Sequence, residues 1–146
     1  MKLSTIYRLR IKDENRWLTI NSKLIKENKK FDVNGVSKYL YDISIKNEIE
    51  VYSLLATIIA YRLKNKYQSK KKNCNSSVTQ YIIKLKSLIT DKSLYDYMIN
   101  NFDNIYNHII KKASVGMNVP IEKFPIKCKW SISELLIYKD LLKNSK

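Results

Sequence analysis

Positive side chains gather in the middle of this chain. Arg62, Lys64, Lys66, Lys70, Lys71, Lys72, Lys84 and Lys86 follow one another closely, and no Asp or Glu occurs between Glu50 and Asp91. Cations without carboxylate partners suit phosphate: each neutralised phosphate releases a condensed counterion, which drives binding at low salt. Lysine dominates over arginine here, and no base-reading motif accompanies it. A surface of that kind holds a backbone and tolerates sequence. A smaller group, Lys123, Lys127 and Lys129, lies just before Trp130. The competing reading is a solvated lysine face. The abundance of Lys, Asn, Ile and Tyr fits an AT-rich genome, so part of the lysine excess can reflect mutational bias.

The remaining reactive groups do not form a catalytic set. Asp91, Asp96 and Asp103 are spaced five and seven residues apart, and Asp32 and Asp42 stand alone. None forms an adjacent carboxylate pair for acid–base work or metal binding. Cys74 and Cys128 are far apart, and one histidine cannot complete a zinc site with them. They are expected to be free thiols in a reducing cytoplasm. There is no phosphate-cradling glycine loop, nucleophile elbow or zinc-binding helix motif. We therefore expect no enzyme, no catalytic residue, no metal and no cofactor.

His108 is the single histidine. The stretch from Asp103 to His108 resembles the arginine–histidine motif of HEPN-type ribonucleases, which are also small helical domains. That resemblance implies an arginine and a histidine acting together on RNA. Asp103 stands where the arginine belongs, so the electrophilic partner is missing, and His108 reads as a helix residue between Ile105 and Ile109.

The elements that must position the basic groups centre on residues 47–72. Val51, Leu54, Leu55, Ile58, Ile59, Leu63 and Tyr67 recur at steps of three and four, which places them on one helix face. Ala56 and Ala60 widen that face. Asn47 is the expected N-cap of this helix, after a break near Lys46, and Glu48 and Glu50 favour its N-terminal dipole. Arg62, Lys64 and Lys66 favour the opposite end. A polar loop, residues 68–77, follows. Ser77 with Gln80 then reads as a capping box opening a helix through Val78, Tyr81, Ile82, Leu85, Leu88 and Ile89. Thr90-Asp91 separates it from a helix over residues 92–112, carrying Leu94, Tyr95, Met98, Ile99, Phe102, Ile105, Tyr106, Ile109 and Ile110, with Lys111, Lys112 and Gly116 as its stop signal. Asp91, Asp96 and Asp103 lie along it with Lys92 the only cation before Lys111, so it is a poor candidate for the recognition helix of a helix-turn-helix.

Before the centre, Val36, Tyr39, Leu40 and Ile43 predict a short helix after an Asn34-Gly35 turn. Residues 13–25 read as a helix capped by Asp13, with Trp17, Ile20, Leu24 and Ile25 at helical spacing. Residues 1–12 fit two patterns. Tyr7, Leu9 and Ile11 alternate with cations as in a strand, whereas Leu3, Ile6, Tyr7 and Ile11 fit a helix stripe. After the centre, residues 114–130 lack periodicity and are expected to run over the bundle, anchored by Phe124 and Trp130. Ser131 with Glu134 is a further capping box, opening a last helix through Leu135, Leu136, Tyr138, Leu141 and Leu142.

Length and composition agree with these elements. At 146 residues, one helical domain over 1–146 is expected. Only Gly35 and Gly116, and only Pro120 and Pro125, interrupt the chain, which favours helices joined by short polar turns. The net charge is +15 and the pI about 9.7. Such self-repulsion is relieved by an anionic partner. No apolar run approaches the roughly 20 residues of a membrane span, and the first residues lack the apolar core of a signal peptide.

The sequence therefore predicts an all-α bundle of five or six helices, with a short N-terminal β-hairpin as the alternative for its first residues. It predicts sequence-tolerant binding of DNA or RNA through Arg62, Lys64, Lys66, Lys70, Lys71, Lys72, Lys84 and Lys86. In size, charge and helicity alone the chain resembles the small helical subunits of CRISPR effector complexes. That suggests a component of a larger nucleoprotein assembly with protein partners, of a virus, mobile element or AT-rich microbe. The alternative is a viral or phage module that binds and inhibits a host factor, in the host cytoplasm.

Overall fold

The computed structural model describes residues 1–67 and 75–137, with backbone alone at 75–77. Among them are six α-helices, a 3-10 turn and no strand: α1 (Leu3–Lys12), α2 (Glu14–Lys26), α3 (Val33–Tyr67), α4 (Asn75–Leu88), α5 (Lys92–Met117), the 3-10 turn Ile121–Lys123, and α6 (Ile132–Leu135). The all-α bundle is thus the architecture. Packing divides the chain into two units, Met1–Lys46 and Asn47–Lys146.

In the first unit the hairpin alternative is corrected. Residues 3–12 are helical, with Ile6 buried and Leu3, Leu9 and Arg10 half-buried, while Tyr7 and Ile11 are exposed. The alternation of apolar and basic residues was coincidental with a helical stripe at steps of three and four. Asp13 caps α2 as expected, its side chain accepting from the Arg16 amide at 3.0 Å. Asn28, with φ 55°, takes the left-handed conformation that lets Lys29 N–H bond back to the Leu24 carbonyl at 2.9 Å.

Where α2 meets the start of α3, four groups close a buried network. The Trp17 indole N–H donates to Asp32 at 3.0 Å, and the Gly35 amide donates to the other oxygen of the same carboxylate at 3.0 Å. The Asp32 amide donates to Asn21 Oδ1 at 2.9 Å, and Asn21 Nδ2 donates to the Trp17 carbonyl at 2.8 Å. Asp32 is therefore the cap of α3. Gly35 lies in the first helical turn, and its predicted turn is absent. Glycine is needed there because a Cβ would overlap the Asp32 carboxylate. Tyr39 packs edge-on against Trp17 with centroids 5.8 Å apart, and the Arg10 guanidinium lies 5.6 Å from the indole centroid.

The expected break near Lys46 does not interrupt the backbone. The helix runs unbroken from Val33 to Tyr67, so Asn47 is interior and caps nothing. No Gly or Pro occurs between Val36 and Tyr67 to stop it. What changes at Lys46–Asn47 is the packing, and the boundary between the units falls there.

The core of the second unit is the one the periodicity implied. Val51, Leu55, Ile58, Ile59 and Leu63 of α3 pack with Val78, Ile82 and Leu85 of α4 and Met98, Ile105 and Tyr106 of α5, closed by Phe124, Leu135 and Leu136. The start of α4 is corrected: it opens at Asn75, so Ser77 lies inside the helix and not at its cap. The end of α5 is corrected too. The helix passes through Gly116 and stops at Asn118, whose φ of 55° and ψ of 44° supply the left-handed cap. Ser114 Oγ donates to the Val119 carbonyl at 2.6 Å and fastens the turn. Phe124 and Trp130 do anchor the following segment, Phe124 buried and Trp130 half-buried. Ser131 caps α6 as expected, accepting from the Glu134 amide at 3.2 Å. Of the last apolar stripe, Tyr138, Leu141 and Leu142 lie outside the described residues.

Candidate functional site

The basic residues named from the sequence separate into three situations. Lys70, Lys71 and Lys72 lie outside the described residues. Arg62 is not on the surface: it is 7% exposed, and its Nη2 donates to the Glu134 carbonyl at 2.8 Å. The position was readable, since Arg62 follows Ile58 by four residues and Ile59 by three, which is the core face of α3. Arginine tolerates such burial better than lysine because its planar fork can satisfy its donors on fixed acceptors.

Lys64 and Lys66 are exposed in the last turn of α3. Lys84 is exposed on α4 but pairs with Glu50 at 2.7 Å. Glu50 lies far from the end of α3: at 1.5 Å per residue, Lys64 stands about 20 Å further along the axis. Lys86 is exposed too, but two positions from Lys84 it occupies a different face of α4. The Lys84–Glu50 pair itself is a surface ion pair of about 0–1 kcal/mol.

The structure brings in a cation from elsewhere. Tyr67, the last residue of α3, packs edge-on against Phe124 with centroids 4.9 Å apart. This fixes the segment after α5 against the end of α3. The Lys66 ammonium lies 5.6 Å from the Tyr67 ring centroid. Interaction with Lys66 lowers the pKa of Lys129 from its ordinary value. Lys123 and Lys127, in the same segment, are exposed. The weaker of the two sequence groups thus joins the end of the stronger one. Its signal was the placing of these lysines among the anchors Phe124 and Trp130.

His108 is exposed on α5, edge-on to Tyr52 with centroids 6.3 Å apart. Asp103 is five residues back, so the two occupy different faces of the helix. Cys128 is half-buried, and burial raises its thiol pKa more than the Trp130 backbone bond lowers it; Cys74 lies outside the described residues. Among the described residues, no group of three or more His, Cys, Asp or Glu is placed to hold a metal ion. No described helix is long and apolar enough to cross a membrane.

Residues 9–139 match the model of the family DUF29, a domain of unknown function, and the chain belongs to that family. No curated protein matches the chain. No solved structure matches it either.

Proposed function

We propose that this protein binds nucleic acid through its phosphates, without catalysis, as a small basic component of a larger nucleoprotein assembly of a virus, mobile element or AT-rich microbe. The observation that carries this reading is the packing of Tyr67 at the end of α3 on Phe124, which sets the segment with Lys123, Lys127 and Lys129 against the helix end that carries Lys64 and Lys66. Lys64, Lys123 and Lys127 are exposed on the same two stretches of chain. The net charge of +15 supplies long-range attraction for any polyanion. Lysine ammoniums act as point charges, so the surface tolerates sequence and accepts DNA or RNA.

Charge neutralisation tests the assignment. Changing Lys64, Lys123 and Lys127 together to Gln should weaken binding of a labelled oligonucleotide by about tenfold or more. Changing Lys84 and Lys86 to Gln should weaken it much less. The reverse order would place the interface on α4.

A second reading is a module that binds and inhibits a host protein. Leu40 and Ile43, three residues apart on α3, are 62% and 40% exposed, with Tyr41 beside them at 64%. Apolar groups at this spacing suit a partner helix. Leu40→Glu would abolish that interaction and leave nucleic-acid binding unchanged.

A further inference from the structure

We propose that Ile126 is a wedge, which enters between two base pairs of duplex DNA from the minor groove and kinks the duplex while the lysines beside it hold the flanking phosphates. The inference rests on the phosphate-binding function above. It adds the class of nucleic acid that the site deforms and the side chain that deforms it.

Ile126, in the segment after α5, is 90% exposed, yet the backbone on either side of it is tied down. Before it, Phe124 is buried and packs edge-on against Tyr67. The Pro125 carbonyl accepts from the Tyr106 hydroxyl at 2.6 Å. After it, Cys128 and Trp130 pack against the core. The isoleucine is thus presented to solvent from a fixed frame. Its branched side chain is itself stiff. Little freedom is lost when such a group is gripped by a partner.

The charges around it suit a polyanion. Lys127 follows Ile126 directly, Lys123 and Lys129 stand three residues to either side, and all three are exposed. Between Asn118 and Trp130 there is one carboxylate, Glu122. Contact of Tyr67 with Phe124 brings the helix end that carries Lys64 and Lys66 against the same segment.

Duplex DNA offers an apolar slot between stacked base pairs with phosphates on both sides of it. The B-form minor groove is only about 6 Å wide, so lysines flanking a wedge face the phosphates of both strands. Apolar side chains inserted there unstack one step and bend the duplex toward the major groove. A duplex RNA presents a wide, shallow minor groove, which a short tip does not grip. An anionic bilayer attracts the same lysines. Stable attachment to it takes a larger apolar face than one isoleucine, whereas a base step takes a single side chain.

The test uses the full chain and a DNA duplex of about 30 base pairs with a central TA step, labelled at both ends for energy transfer. Wild-type protein should bend it by about 20–90°. Ile126→Ser should abolish the bend and weaken binding about tenfold, and Ile126→Leu should keep both. A central mismatch, already partly unstacked, should raise wild-type affinity about tenfold and leave that of Ile126→Ser unchanged. Ile126 is exposed, so both variants should melt as wild type does. Salt-dependent binding with no bend, or a bend that survives Ile126→Ser, would overturn the wedge and leave phosphate binding standing. Absence of binding to any nucleic acid would overturn both. Capture by phosphatidylserine vesicles that fails in Ile126→Ser, without DNA bending, would give the tip to a membrane and overturn the wedge.

Discussion

Arg62 and Glu134 are joined across the second unit: the guanidinium Nη2 of α3 donates to the main-chain carbonyl of α6 at 2.8 Å. The most arginine-like position of the basic stretch is thus spent inside the bundle, where it satisfies a carbonyl in a helix of only four residues. Arg62→Ala should destabilise the protein by about 2–4 kcal/mol, through lost hydrogen bonding and a cavity. Urea denaturation measures it. A stable Arg62→Ala variant with lost nucleic-acid affinity would return Arg62 to the binding surface.

Asp32 holds the start of α3 by accepting from both Trp17 and Gly35. Asp32→Ala leaves two buried donors without their acceptor and removes a helix cap, a cost of about 2–3 kcal/mol. Asp32→Asn keeps a carbonyl oxygen and should cost less. The amide of Gly35 should exchange with solvent markedly faster in Asp32→Ala, and an unchanged rate would contradict the capping role.

The two glycines should respond with opposite signs. Gly35→Ala pushes a methyl group into the Asp32 carboxylate and should destabilise. At Gly116 a Cβ meets nothing within 4 Å, and the residue is inside α5. Gly116→Ala should stabilise by about 0.5–1 kcal/mol, since glycine carries excess backbone entropy into a helix. Thermal melts of the two variants, shifted in opposite directions, are the expected result.

The core of the second unit was legible because its signal is repetitive. Seven residues from Val51 to Tyr67 point the same way, and tertiary packing agrees with them. Helix boundaries were less legible, because they depend on single residues whose partners lie elsewhere. Asn34-Gly35 resembles a turn until Asp32 is seen to occupy the space above Gly35. Asn47 resembles a cap, but nothing before it breaks the helix. Gly116 resembles a stop, yet Asn118 takes the left-handed conformation. The candidate site was half legible. Charge clustering marked Lys64 and Lys66, but the placing of the segment that carries Lys129 depends on Tyr67 meeting Phe124, which no local pattern encodes.

Tyr106 gives the protein a pH dependence in the alkaline range. Its hydroxyl donates to the Pro125 carbonyl at 2.6 Å, and burial, then the neighbouring Cys128 and Tyr67, push its pKa up from 10.0 to about 12. Between those values the unfolded chain releases this proton and the folded chain keeps it. Stability from this group is therefore complete below pH 10 and is lost as pH rises toward about 12. Tyr106→Phe should flatten that decline in a series of urea titrations, and an unaltered slope would exclude Tyr106 as its source.

The most direct test of phosphate binding is the salt dependence of affinity for wild-type protein. Fluorescence anisotropy with labelled single-stranded and duplex DNA and RNA, over about 50–300 mM salt, provides it. We expect micromolar or tighter binding at low salt, and a linear fall of log affinity with log salt equivalent to several released counterions. Absence of binding at the lowest salt would contradict the account, and the positive charge would then have to serve a protein partner or none.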